Sequence, residues 1–195
     1  MPEPKEFIWR ASISSSNLPN LGTLRLLNSK ASVKTLSAIP AITPNLHTLE
    51  YNFVQGLGKV IFGEFYNERH YDEWADFTSA LTQVQDTLRD LTISLAYYCC
   101  EGSDVQELDL EWVDRLWERR GYMGSLRSFS KLERLEIPLP VLLGWNPDFS
   151  CKKLRDVLPS SLKELCLRDD LVDMYKGCTY PWTPGIQILM SGLTT

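Results

Sequence analysis

The sequence predicts an α/β fold built on one parallel sheet, and two observations carry that prediction. The first is a frame, Leu-x-x-Leu-x-Leu, that begins at Leu21-Leu24-Leu26 and returns as Leu46-Leu49-Tyr51, Leu88-Leu91-Ile93, Leu132-Leu135-Ile137 and Leu162-Leu165-Leu167. The second is that a turn or helix signal stands before each return. Alternation along a strand puts the frame's apolar residues on one face, and only a stacked neighbour can bury that face. This is the strand signature of a leucine-rich repeat. The expected architecture is therefore an irregular leucine-rich repeat solenoid, a single domain over 1–195 with the sheet on its concave face and helices and loops on its convex face. Strands are expected near 21–27, 46–52, 88–94, 132–138 and 162–168.

Successive frames begin 25, 42, 44 and 30 residues apart, against about 20–29 for a regular repeat. Only the first step is regular, and the two long ones each hold one unit plus an insertion. After the first frame, Ser32 is placed to cap a short helix with Val33, Leu36 and Ile39 on one side. Pro40 stops that helix, and Pro44-Asn45 turns the chain into Leu46. Similar turns at Pro19-Asn20-Leu21 and Pro159-Ser160-Ser161-Leu162 set the strand register.

The first insertion divides into a Gly-punctuated stretch, where Val60–Phe62 reads equally as a short strand or an outer loop, and a helix. In that helix Trp74, Phe77, Leu81, Val84 and Leu88 recur at steps of three and four, which places them on one face of a 3.6-residue period. The second insertion opens on a capping box, Ser103 with Gln106. Its apolar face is Val105, Leu108, Trp112 and Leu116; Asp104, Glu107, Glu111, Asp114 and Glu118 form an acidic stripe opposite; Gly121 ends it. Met123 and Leu126 to Phe129 then predict one more helical turn.

With 44% hydrophobic and 23% charged residues, a chain of 195 residues is composed as a folded domain. A net charge of −5 and a pI near 5.1 argue against nucleic acid, whose phosphates are held by clustered Lys and Arg. MPEPKEFIWR lacks the apolar core of a secretory signal, and no apolar run is long enough to span a bilayer. A cytoplasmic or nuclear protein with no membrane contact is expected.

No catalytic motif is visible. The two histidines, His47 and His70, stand in no nucleophile or metal pattern, and there is no phosphate loop, dinucleotide fingerprint or nucleophile elbow. The five cysteines, Cys99, Cys100, Cys151, Cys166 and Cys178, lack the paired spacing of a zinc site. They are expected as buried or half-buried free thiols. No cofactor and no metal are expected.

Alternation also assigns the residues that face away from the core. The row before the second frame leucine is Thr23, Thr48, Asp90, Arg134 and Glu164. The next is Arg25, Glu50, Thr92, Glu136 and Cys166, and the third is Leu27, Asn52, Ser94, Pro138 and Arg168. A broad, polar, mixed-charge sheet suits a protein partner better than the enclosed pocket a small molecule needs. The expected partner contacts are Thr23, Arg25, Thr48, Glu50, Asn52, Asp90, Thr92, Ser94, Arg134, Glu136, Glu164 and Arg168. A non-enzymatic interaction module is the leading reading. A hydrolase or transferase built on Asp/Glu and His70 is the alternative from another class, and a structural remnant without a partner is the third.

The segments LPNLGTLRLLN, PNLHTLEYN, DTLRDLTIS, LERLEIP and LRDVLPSSLKELCLRDD resemble the irregular leucine-rich repeat region of fungal F-box proteins over about residues 18–170. The resemblance implies that the repeats hold the substrate of a ubiquitin ligase. It implies an adaptor contact only if an F-box lies upstream, since none is visible before Leu18, and the chain is expected to be part of a longer protein. The consensus asparagine of these repeats would fall at Ser29, Val54, Ala96, Pro140 and Asp170, so irregular turns are expected there.

Overall fold

The computed structural model describes residues 18–29, 31, 33–56, 73–98, 122–144, 154–168 and 170. Five strands, β1 (Thr23–Ser29), β2 (Thr48–Gly56), β3 (Asp90–Tyr98), β4 (Arg134–Pro138) and β5 (Glu164–Arg168), form one parallel sheet whose spatial order is the chain order. Among the described residues the helices are few and short: α1 (Val33–Leu36), α2 (Ile39–Ile42), α3 (Glu73–Leu81), α4 (Leu139–Leu143) and α5 (Leu154–Val157). The α/β class is the predicted one.

Each strand starts at the residue before the second leucine of its frame, because the first leucine is occupied in a turn. The amides of Leu21, Leu46, Leu132 and Leu162 bond the carbonyls of Leu18, Thr43, Phe129 and Pro159, three residues back, and Leu88 bonds Val84, four back. The next residue's carbonyl then accepts two successive amides of the following strand. Gly22 takes His47 and Thr48 at 2.8 and 3.0 Å, and His47 takes Arg89 and Asp90 at the same distances. Arg89 takes Glu133 and Arg134, and Glu133 takes Lys163 and Glu164, again at 2.8 and 3.0 Å. One bonding pattern at all four junctions aligns Thr23, Thr48, Asp90, Arg134 and Glu164 across the sheet.

Polar side chains just before the first frame leucine brace these turns. Asn45 Nδ2 donates to the Pro19 carbonyl at 2.7 Å. Thr87 Oγ1 reaches the carbonyl of Leu46 at 3.0 Å, and Ser161 Oγ that of Leu132 at 2.8 Å. Each bond ties one turn to the turn before it. The Gly22 position is itself constrained, since a Cβ there would stand 3.0 Å from His47 Nδ1.

The core lies on one side of the sheet. Leu49, Tyr51, Leu91, Ile93, Leu135 and Ile137 are buried there, and Leu24, Leu26, Leu165 and Leu167 on the outer strands are partly buried. Trp74, Phe77, Leu81, Val84 and Leu88 are all buried in the same core, as their spacing predicts, with a 3-10 turn (Thr82–Val84) extending α3. Removing one such side chain from water contributes about 1.5–3 kcal/mol. Tyr51 stands where the frame has leucine elsewhere, and its hydroxyl donates to the Ala31 carbonyl at 2.7 Å, fastening the loop after β1.

Four expectations are corrected. Pro40 does not simply stop a helix: α1 ends at Leu36, and Pro40 sits in the first turn of α2, where its missing N–H costs nothing. Met123, Leu126 and Phe129 are buried but not helical; single turns run from Phe129 to Leu126 and from Leu132 to Phe129, and Gly124 has φ +78°. Strands β2 and β3 outrun their frames, pairing as far as Gly56 and Tyr98. Cys166 is exposed rather than buried, because strand parity turns it outward.

The Ser103–Gly121 helix and its acidic stripe, Ser32, Val60–Phe62, His70, the other four cysteines and the 171–195 tail lie outside the described residues.

Candidate interaction surface

The outward-facing residues align as strand parity requires. Arg25, Glu50, Thr92, Glu136 and Cys166 form one cross-strand row, as do Thr23, Thr48, Asp90, Arg134 and Glu164. The third row departs from the expected one: Ser94 and Pro138, assigned outward, are buried, the β3–β4 pairing ends at Thr92–Glu136, and the row breaks at β1. There Leu26 pairs with Tyr51 but Ser29 with Phe53, so two residues of β1 stand against one of β2. This bulge holds Asn28 at φ +50°, a conformation asparagine tolerates, and leaves Leu27 58% exposed.

Four polar groupings cover the face. On β2–β4, Asp90 accepts Thr48 Oγ1 at 3.1 Å and Arg134 Nε at 2.5 Å. On β1–β2, Arg25 Nε pairs with Glu50 Oε2 at 3.1 Å. Asn52 Nδ2 donates to Ser94 Oγ at 2.7 Å, with Ser94 itself buried. At the β4–β5 end, Arg168 donates through Nη1 to Glu136 and through Nε to both oxygens of Asp170, at 2.8 and 3.0 Å. Thr23, Thr92 and Glu164 make no side-chain hydrogen bond among the described residues.

Electrostatics follows the pairing. The Arg134 hydrogen bond holds the Asp90 carboxyl below the usual carboxylate range; partial burial works against it, and the Thr48 hydroxyl and the charges of Arg134 and Arg89 reinforce it. The Arg134 guanidinium is held more firmly protonated by the same bond. For Arg168, burial disfavours the charge, but the bonds to Glu136 and Asp170 outweigh it and its pKa rises.

Asp170, which the repeat pattern marks only as a position without the consensus asparagine, is absent from the outward rows yet takes part in this end of the face. Its Oδ2 accepts the Leu95 amide at 2.8 Å, reaching over β4 to β3. Extending the β3–β4 pairing sets Leu139 opposite Leu95, and Leu139 begins α4, so the ladder has no strand partner there. Asp170 and Ser29, whose Oγ accepts the Ala31 amide at 3.1 Å, therefore do bond backbone at two of the consensus-asparagine positions. Both sit where the frame-plus-offset count places them, which is the signal that could have found them.

Among the described residues no group of three or more His, Cys, Asp or Glu side chains could hold a metal ion. His47 is exposed in the turn before β2. No described helix is long and apolar enough to cross a membrane. Comparison with protein-family models, with curated proteins and with solved structures finds no match to this chain.

Proposed function

We propose that the chain is an irregular leucine-rich repeat solenoid and a non-enzymatic recognition module, and that its polar sheet face binds a protein partner. The observation that supports this reading is the repetition of one bonding pattern at every strand junction: each unit hands the same two amides to the same position of the unit before. Stacked repeats of that kind keep a rigid, extended face whose outward residues are free to vary. That face is broad and polar, and its charges are fixed in place by neighbours one strand away.

The resemblance to the repeat region of fungal F-box proteins extends the proposal. In that setting the face would hold the substrate of a ubiquitin ligase in the cytoplasm or nucleus, and the adaptor contact would depend on an F-box beyond this repeat region.

The test is a quantitative pull-down with the double exchange Arg25→Glu and Glu50→Arg combined with Arg134→Glu and Glu136→Arg. The Arg25–Glu50 exchange preserves an ion pair while inverting its direction, and a thermal melt checks that the variant folds. The proposal expects proteins retained by the native chain to be lost by the folded variant. The same proteins retained in equal amount would refute the assignment of this face.

A further inference from the structure

The two ends of the sheet are open, and in complementary ways. Central frame residues such as Leu91 and Ile93 are 1% and 0% exposed, but Leu24 and Leu26 on β1 and Leu165 and Leu167 on β5 are only partly buried. The exposed large apolar residues among those described, Leu18 and Leu27, both belong to the β1 end. The backbone is open at the same places. At each internal junction one carbonyl accepts two successive amides of the following unit. The corresponding amides of the first unit, Gly22 and Thr23, meet no backbone acceptor among the described residues, and the corresponding carbonyl of the last unit, Lys163, receives no amide. Asn20 repeats the relationship in a side chain. Pro19-Asn20-Leu21 and Pro44-Asn45-Leu46 form the same turn, and Asn45 Nδ2 donates to the Pro19 carbonyl of the preceding unit, whereas the Asn20 side chain is exposed and makes no hydrogen bond among the described residues.

We propose that these ends fit each other: β5 of one copy of the chain pairs in parallel with β1 of the next, so that copies associate head to tail and continue one sheet. In the register of the internal junctions, Glu164 stands opposite Thr23 of the next copy and Leu165 opposite its Leu24. The Lys163 carbonyl then takes the Gly22 and Thr23 amides, the Ser160 carbonyl takes Asn20 Nδ2, and the outer leucines cover one another. Glu164 is exposed and makes no ion pair among the described residues. In this register Arg25 of the next copy lies two residues beyond the position opposite Glu164, which is the relation Arg168 has to Glu136. Arg168 holds Glu136 and Asp170 together, so the bond from Arg25 to Glu50 leaves room for a second carboxylate. A second copy supplies all of these complements at matching spacing, because both ends are halves of one repeated junction. Unlike a two-fold pair, a head-to-tail contact leaves an end open, so association extends as concentration rises.

The test is sedimentation velocity of the full chain over a concentration series, joined to an engineered disulfide. Arg25→Cys sets a thiol opposite Cys166 of the neighbouring copy at one strand spacing, about 4.8 Å and within disulfide reach, whereas inside one copy the two positions are four spacings, about 19 Å, apart. The proposal expects a mass that rises above 22.3 kDa with concentration, and a bond between position 25 and Cys166 in the peptide map of the oxidised Arg25→Cys protein. It also expects Glu164→Arg, shown to melt as the native chain does, to associate about ten-fold more weakly, the scale of one charged hydrogen bond. A monomer at every concentration with no such bond would overturn the proposal and leave the β1 end to a further unit of the same protein. Position 25 bonded to position 25 would overturn it in favour of a two-fold pairing of β1 edges, and undiminished association of Glu164→Arg would overturn the register.

Discussion

Asp170, two residues past the end of β5, accepts the amide of Leu95 on β3 and so bridges the point where β4 leaves the sheet. Pro138 ends β4 and Leu139 begins α4, which withdraws the backbone acceptor that a longer β4 would have offered. A carboxylate 9% exposed takes its place and is steadied by Arg168. The side chain thus does for this sheet what a continuing strand does elsewhere, because a buried amide left without an acceptor is costly.

Removing that carboxylate is therefore expected to destabilise the sheet locally. Asp170→Ala leaves the Leu95 amide unsatisfied, at about 1–3 kcal/mol. Urea denaturation should show the loss, and amide hydrogen exchange should place it at Leu95. Unchanged protection at Leu95 would show that the bond carries no weight.

Position in the sheet should decide the cost of deleting a frame leucine. Leu91 is buried at the centre, whereas Leu24 occupies the same frame position on an outer strand and is only partly buried. Leu91→Ala is expected to cost about 3 kcal/mol, within the 2–5 kcal/mol range of buried leucines, and Leu24→Ala about half of that. Equal losses in chemical denaturation would contradict the burial gradient.

Tyr51 tests the tie between a core side chain and a loop. Tyr51→Phe keeps the ring beside Phe53, whose centroid is 6.0 Å away, and removes the hydroxyl that serves the Ala31 carbonyl. A loss of about 0.5–1.5 kcal/mol is expected, read from the denaturation midpoint at unchanged slope.

The Asp90 pairing gives stability a defined pH dependence. Because its carboxyl is held below the usual range by Arg134, the contribution is present above the unfolded-state pKa and is lost as pH falls through the lower, folded-state pKa. Arg134→Gln should move the Asp90 titration upward toward the ordinary carboxylate value in an NMR pH series and make the acid-side decline in stability shallower. An unmoved Asp90 titration would remove the pairing from the account.

Much of this arrangement is legible in the sequence for a physical reason. Strand parity is a local property, so the positions of Thr48, Asp90, Arg134 and Glu164 follow from the leucines beside them, and the face of α3 follows from the steps between Trp74 and Val84. What was not legible depends on neighbours distant in the chain or on fine backbone geometry. The Asp170–Leu95 bond exists only because β4 is short, and the bulge at Asn28 depends on how β1 meets β2. The second helix at Pro40 shows a proline starting an element at a point where it reads equally as ending one. The short turns through Met123, Leu126 and Phe129 bury the same residues a helix would, which is why periodicity alone did not separate them.

The most direct test of the central claim, that the polar sheet face engages a protein partner, is site-specific photocrosslinking at Thr92. This residue lies between Glu50 and Glu136 in the middle of the face. A benzophenone side chain at Thr92 is compared with one at Ala75, exposed on α3 away from the sheet face. The account predicts a specific crosslinked partner from the Thr92 position, abolished by the charge-exchange variant, and none from Ala75. Crosslinking of the same partner from Ala75 alone would contradict it.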